Sequence, residues 1–216
     1  MRTIIIGHGP SILRQKLGSE IDRHDQIIRM KRHSDLPKLR PDLYGSRTDV
    51  VVSSMTLGRV IMDAWEGVKD FWLFDDTRTE NESDKTLPQD ANVYCDRDVC
   101  RFWRTQYRRL RKDYVKADSQ KLIDGVSDNK GHLHPSAGTH AILYAMHKAN
   151  PEEIQLHGFD NILSGTHDWS ITRGHEYKEY PDHNWPAESQ MLDLLCRVYG
   201  YQMEKGDTGS ALLNAI

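Results

Sequence analysis

The chain has 216 residues, of which 38% are hydrophobic and 28% charged; that length suits one domain, taken as residues 1–216, with room for a substantial core. A formal net charge of −3 excludes a general electrostatic pull toward nucleic acid or anionic lipid. A mean hydropathy of −0.69, with no apolar run near the length of a membrane helix, excludes a spanning segment. The three cysteines, Cys95, Cys100 and Cys196, match no metal-binding spacing and read as free thiols of a reducing compartment. The first residues enter a strand directly, so no signal peptide is expected. The expectation is a cytoplasmic protein, or a soluble piece of a larger one.

In chain order, "RTIIIGHGPS" predicts a strand that stops at a turn. Ser11 is placed to cap a short helix over "ILRQKLG", with Gly18 ending it. "DQIIRMKR" predicts a second strand and "RTDVVVSS" a third, in which Val50 to Val52 form a continuous buried run. Residues 56–67 predict a helix, "DFWLFDD" a fourth strand, and the polar stretch from Thr77 to Asn92 a loop. "VCRFWRTQYRRLRKDYV" predicts a helix with a basic face, and "PSAGTHAILYAMHKAN" an apolar helix opening at Pro135–Ser136. "EEIQLHGFD" predicts another strand. Residues 161–184 are rich in His, Asp and Tyr and show no clean period. "PAESQMLDLLCRVYG" predicts an amphipathic helix and "YQMEKG" a last short strand. Strands and helices alternate, which predicts an α/β fold with a mostly parallel sheet and helices on both faces.

In such a sheet, ligands bind beyond the carboxyl ends of the strands. Gly7 and Gly9 remove side chains where a backbone must pass close to something. The Ser11 amide and hydroxyl open a helix, where the dipole favours an anion. The turn is not a dinucleotide fingerprint, because Ile12 stands where the third glycine belongs, and no GK[ST] follows to make a P-loop.

About twenty residues further come "IDRHDQIIRMKR" and "YGSRTDVVVSS". Together, "GHGPSIL…GSEIDRHDQIIRMKR…YGSRTDVV" resembles the nucleotide-binding L motif of the sialyltransferases, glycosyltransferase family 29. His8 and Lys31 stand where that motif has asparagines. "HPSAGTHAILYAMHKANPEEIQLHGFD" resembles the S motif, with Ala137 in place of a threonine. "HDW" at 167–169 resembles the short motif III, and "HNWPAE", His183 to Glu188, the closing His-x4-Glu signature. The four pieces occur in family order. The bacterial family 42 sialyltransferases share the Gly-x-Gly-Pro-Ser turn and a late histidine, and stand as the close second. The resemblance implies a Rossmann-like, GT-A-like fold. It implies a CMP-sugar donor held by Gly7, His8, Gly9, Pro10 and Ser11, by Arg29, Lys31 and Ser53, by Ser136, Ala137 and Gly138, and by Gly158, Phe159 and Asp160. It implies no cofactor and no obligatory metal. The disulfide that joins the L and S motifs in vertebrate members has no counterpart.

Transfer from a CMP donor breaks the bond between the anomeric carbon and a single phosphate while the acceptor hydroxyl loses its proton. A histidine suits that proton transfer, because its pKa lies near working pH. By resemblance His183 is the base and His167 faces the departing phosphate, with His175 and nearby Tyr177 as the fallback. Ser136 and the Gly138 amide, at a helix start, suit the sugar carboxylate or the phosphate; the plainer alternative for Ser136 is an ordinary cap. Glu188 either orients the loop before it or is a favourable charge in a first helical turn. The 11 histidines include "HLH" at 132–134, but no HExxH and no Cys pair at zinc spacing occurs. His140 and His147 fall on one helix face too far apart to share an ion.

The basic helix carries Arg101, Arg104, Arg108, Arg109, Arg111 and Lys112 with Phe102, Trp103 and Tyr107. It reads first as a solvated helix with its aromatic face buried. The alternative is peripheral contact with an anionic membrane that bears a glycolipid acceptor; nucleic acid is disfavoured by the acidic balance. The sequence-based expectation is an inverting, metal-independent transfer of sialic acid or Kdo from its CMP donor to a glycan or glycolipid hydroxyl. Two alternatives stay open: another nucleotide-dependent α/β enzyme, and a non-catalytic CMP-sugar-binding protein.

Overall fold

The computed structural model describes residues 1–30, 36–54, 65, 67–74, 91–117, 135–164, 170–171, 177–178, 185–206 and 209–215. The apolar runs of the first third form five-residue strands: β1 (Arg2–Ile6), β2 (Gln26–Met30), β3 (Val50–Ser54) and β4 (Asp70–Phe74). Their side chains are buried on both faces, which is why they read as continuous hydrophobic runs and not as alternation. With β5 (Asn92–Tyr94) beyond β4 and β6 (Glu153–His157) on the far side of β1, they make a parallel set of six. The antiparallel strands β9 (Tyr201–Gly206) and β10 (Gly209–Asn214) complete an eight-stranded sheet of order β5-β4-β3-β2-β1-β6-β10-β9.

The chain runs outward from β1 to β5 and then returns to the opposite flank of β1 as β6. The direction therefore switches between β1 and β6, and such a switch opens a crevice beyond the carboxyl ends of the two strands. Ile6 is paired with His157, so the turns that begin at Gly7 and Gly158 leave the sheet side by side.

Helices cover both faces, as expected. On one face Ile5, Ile28, Val52, Trp72 and Phe74 pack beneath α4 (Arg97–Ala117), α5 (Ala137–Tyr144), α6 (Asp160–Ser164) and α7 (Trp185–Tyr199). On the other, Ile4, Ile6 and Ile27 pack with Ile12 and the short helices α1 (Gly18–Ile21), α2 (Leu36–Leu39) and α3 (Pro41–Tyr44). Helix α5 has no polar face and is buried from Gly138 onward, as a helix apolar all round must be. It runs into a π-helical turn, Ala145–Ala149, and stops at Asn150, whose φ of 42° is left-handed. The Tyr144 hydroxyl donates to the Leu73 carbonyl at 2.8 Å and meets Cys100 Sγ at 2.9 Å. Burial raises the Tyr144 phenol above its ordinary value.

In α4, Cys100, Trp103 and Tyr107 are buried at helical spacing while Arg101, Arg108 and Arg109 face outward. Phe102 departs from the expected buried aromatic face and is 54% exposed. All three cysteines are free. Among the described residues no helix is long and apolar enough to cross a membrane.

The structure corrects three local expectations. The helix after Ser11 is a four-residue 3-10 turn, Pro10–Leu13, with Gly9 at its cap position, and Gly18 opens α1 instead of ending a helix. Pro10, with its preset φ, is what starts the turn. The polar stretch expected as loop gives way to β5 at Asn92, and its residues 77–90 lie outside the described residues. "YQMEKG" is not the last strand: the chain folds back as β10, which inserts between β6 and β9 and buries Leu212 completely. The helix expected over 56–67 falls almost wholly outside the described residues.

Candidate functional site

The first turn is shaped by the protein's own second turn. The Gly7 amide donates to the His157 carbonyl at 2.6 Å, and the Gly9 amide to the Gly158 carbonyl at 2.7 Å. Gly158 sits at φ +75°, a conformation that favours glycine. A Cβ on Gly7 would lie 2.1 Å from the Gly158 oxygen, and one on Gly9 would lie 2.0 Å from Asp160 Oδ2. The close approach expected of a ligand at these glycines is thus made by residues 158–160. Asp160 Oδ2 accepts from the Ser11 hydroxyl at 2.8 Å and the Ser11 amide at 3.2 Å. The two donors expected to hold an anion hold an internal carboxylate, which is also why Ser11 does not act as a cap. The buried Phe159 ring reaches within 3.0 Å of where a Cβ would stand on Gly7 or Gly138, so it ties the two motif regions together. His8 and Pro10 are half-buried on the turn.

The start of α5 carries a second internal carboxylate. Ser136 is the cap residue, and its side chain accepts from the Thr139 amide at 3.3 Å. Glu188, in the first turn of α7, is completely buried. Its Oε2 accepts from Ser136 Oγ at 2.5 Å, Thr139 Oγ1 at 2.6 Å and the Ser136 amide at 3.2 Å. Ser136 therefore has the ordinary capping role, and Glu188 fastens the start of α7 to the start of α5. The Ser136 donors offered to a substrate anion in the sequence reading go to Glu188. Thr139 was not singled out from sequence; its place three residues after a cap serine is the signal that marks it. His140 donates from Nδ1 to the Ser136 carbonyl at 2.9 Å and stacks on Phe74 at 4.0 Å. It is a core histidine.

The polar residues of the L-type motif bind mainly one another. Asp22 accepts from the Ser46 amide at 2.9 Å and hydroxyl at 2.8 Å, and from the Arg47 amide at 3.0 Å. Arg47 donates to the carbonyls of His24 at 2.6 Å and Asp25 at 3.1 Å, and pairs with Asp49 at 2.9 Å. Arg29, expected at the nucleotide, is 4% exposed; it donates to Thr48 Oγ1 at 2.9 Å and to the carbonyls of Tyr44 at 2.5 Å and Arg47 at 3.1 Å. Burial lowers its guanidinium to about 10, against the attraction of Asp22 and Asp49. Ser53 is completely buried in β3, its hydroxyl on the Ser54 carbonyl at 3.1 Å. These two residues build the frame under the crevice.

Burial works to raise the Asp22 carboxyl, but the hydrogen bonds from Arg47 and Ser46 and the Arg29 charge hold it below the ordinary 3.8. A carboxyl lowered on folding stabilises the protein fully above its unfolded pKa, and that stability is lost as pH falls through the folded value. The melting temperature of wild type is therefore expected to exceed that of Asp22→Asn at pH 6. The difference should shrink below pH 3.8. A difference independent of pH would contradict this role of the ionised Asp22 carboxylate.

The structure brings together Gly7 to Ser11, Gly158 to Asp160, Ser136 to Gly138, and Glu188. Lys31, His167, His175 and His183 lie outside the described residues, and Tyr177 is described only as part of the two-stranded hairpin of β7 (Ser170–Ile171) and β8 (Tyr177–Lys178). Among the described residues no group of three or more His, Cys, Asp or Glu side chains is placed to hold a metal ion; His132 and His134 lie outside them.

The strand order of this open α/β sheet reverses between β1 and β6, which is where sheets of this kind place their ligands. Residues 1–198 match the model of glycosyltransferase family 29, the sialyltransferases, and the chain belongs to that family. Similar solved structures include a mammalian sialyltransferase, at 17% identity and a TM-score of 0.49. A mammalian sialyltransferase in complex with Gal-beta-1-3GalNAc-ortho-nitrophenol is 16% identical, with a TM-score of 0.48. Each match covers 92% of this chain and 66% of the other, so the chain spans just under two thirds of those structures. No curated protein matches the chain.

Proposed function

We propose that the protein transfers sialic acid from CMP-sialic acid to a hydroxyl of a glycan or glycolipid, inverting the anomeric centre without a metal or other cofactor. The family match over residues 1–198 carries this reading. The convergence of the turn at Gly7, the turn at Gly158 and the start of α5 supports a nucleotide at the switch point. In this reading the acceptor oxygen attacks the anomeric carbon as the bond to the CMP phosphate breaks. His183 takes the acceptor proton, and His167 donates to the phosphate as its charge grows. Glu188 is a positioning residue: it anchors the helix that follows His183 to the cap of α5. CMP-Kdo is the second donor of the same chemistry, kept because His8 and Lys31 replace the motif's asparagines.

The experiment is CMP release from CMP-Neu5Ac and from CMP-Kdo, with a pool of glycan acceptors, in wild type and His183→Ala. Release from CMP-Neu5Ac that falls at least about 100-fold in the variant is the expected result, unchanged by EDTA. Release from CMP-Kdo alone overturns the donor, and CMP binding without release from either supports a non-catalytic binder.

The reading also places the protein in the cytoplasm, with the outward arginines of α4 and exposed Phe102 against an anionic membrane surface. Replacing Arg101, Arg108 and Arg109 together by Glu is expected to abolish sedimentation with phosphatidylserine liposomes. Unchanged sedimentation removes the membrane contact from the proposal.

A further inference from the structure

We propose that Cys95 and Cys100 form an oxidation site, in which a hydroperoxide oxidises Cys95 and Cys100 resolves it as an intrachain disulfide. This holds whether or not the protein uses a CMP donor. Helix α4 opens on a complete cap. Asp96 Oδ1 accepts from the Val99 amide at 2.9 Å, and the Asp96 carbonyl accepts from the Cys100 amide at 3.0 Å. That register makes Asp96 the cap residue, with Cys95 just before it and Cys100 at the fourth helical position. Side chains at those two positions ordinarily pack on one another and fix how the chain enters the helix. A cysteine is a small apolar side chain and fills such a place. In this chain both places are thiols.

The surroundings draw the two sulfurs to one place and give them unequal exposure. β5 ends with Tyr94 paired to Trp72, so Cys95 leaves the sheet beside Leu73, and it packs against the cluster that holds Leu73. Cys100 Sγ meets the Tyr144 hydroxyl at 2.9 Å, and that hydroxyl donates to the Leu73 carbonyl at 2.8 Å. Burial raises the Tyr144 phenol most, and Cys100 and then Cys95 add to it, so both sulfurs lie near one hydroxyl. Cys95 is half-buried and Cys100 is 1% exposed, which makes Cys95 the thiol that a small oxidant reaches first. One peroxide oxygen passes to the Cys95 sulfur, giving a sulfenic acid, and the other leaves as water or an alcohol. The Cys100 sulfur then displaces the sulfenic hydroxyl, the S–S bond forms, and the hydroxyl departs as water with the Cys100 proton. Two thiols are oxidised and one peroxide is reduced. In a reducing compartment such a disulfide is transient and redox-sensing, and thiol exchange reverses it. The one Tyr144 proton goes to Leu73, so the thiol is the donor between Cys100 and Tyr144. Oxidation removes that donor and weakens the contact between α4 and α5.

The test treats the reduced full chain with hydrogen peroxide, alkylates the remaining thiols in urea and digests with trypsin. Cleavage after Arg97 separates the two cysteines into peptides 86–97 and 98–101. The expected result is the loss of two of the three alkylatable thiols, with 86–97 joined to 98–101 until dithiothreitol parts them. Cys196→Ser should give the same joined pair. Cys95→Ser should leave Cys100 alkylatable after peroxide, and Cys100→Ser should leave a sulfenic acid at Cys95 that dimedone captures. A wild type that keeps all three thiols overturns the proposal, and since wild type alone decides, a variant that fails to fold does not shield it. So does Cys95 carried on to sulfinic acid while Cys100 stays alkylatable. A disulfide that includes Cys196, or a joined pair that forms only when peroxide is added in urea, overturns it too. A joined pair between two chains, seen as a dimer on a non-reducing gel, overturns the intrachain bond.

Discussion

Glu188→Ala is expected to lower the melting temperature by roughly 10 °C, followed by circular dichroism. The carboxylate is fully buried and takes three hydrogen bonds through one oxygen. Its removal strips that acceptor from two hydroxyls and an amide in a region closed to water. Each buried donor left unmade costs about 1–3 kcal/mol, and since neighbouring losses do not simply add, the sum is about 3–5 kcal/mol. Glu188→Gln keeps an acceptor and should lose less. Turnover should fall with both variants, and Michaelis constants for the donor should rise less than turnover falls, because Glu188 acts through the position of the following helix and not by touching substrate. A Glu188→Ala protein that melts with wild type would show that the two helix starts are held by something else.

Gly7→Ala is the second severe change. The added Cβ would stand 2.1 Å from a backbone oxygen, that of Gly158, which cannot turn aside as a flexible side chain does. The β1 and β6 turns would have to part, breaking the hydrogen bonds from Gly7 and Gly9. Overpacking of a side chain costs about 1–3 kcal/mol; with backbone on the other side, about 3 kcal/mol or more is expected. The measurement is the urea midpoint, with CMP affinity of the folded fraction as the second readout, and both should fall. Wild-type stability in Gly7→Ala would mean that the two turns are not in contact.

The parallel core was legible in the sequence because its strands are buried on both faces, and Ile4 to Ile6 or Val50 to Val52 announce that directly. β10 was not, because Gly209–Asn214 is short and only its position between two other strands makes it a strand. At the site, the sequence marked Gly7, Gly9 and Ser11 as a place of close approach but could not say what approaches. The partners lie 149 residues away for Ser11 and 52 for Ser136, and no local pattern encodes such pairings. Arg29 and Glu188 share this lesson. Both fall on motif positions that read as chemistry, and the packing places both in the frame that shapes the crevice.

The most direct measurement of the central claim is a crystal structure of the protein grown with CMP. The predicted result is nucleotide density in the crevice between β1 and β6, against residues 7–11, 158–160 and the start of α5. Density for CMP anywhere else on the chain, or none at saturating nucleotide, would contradict it.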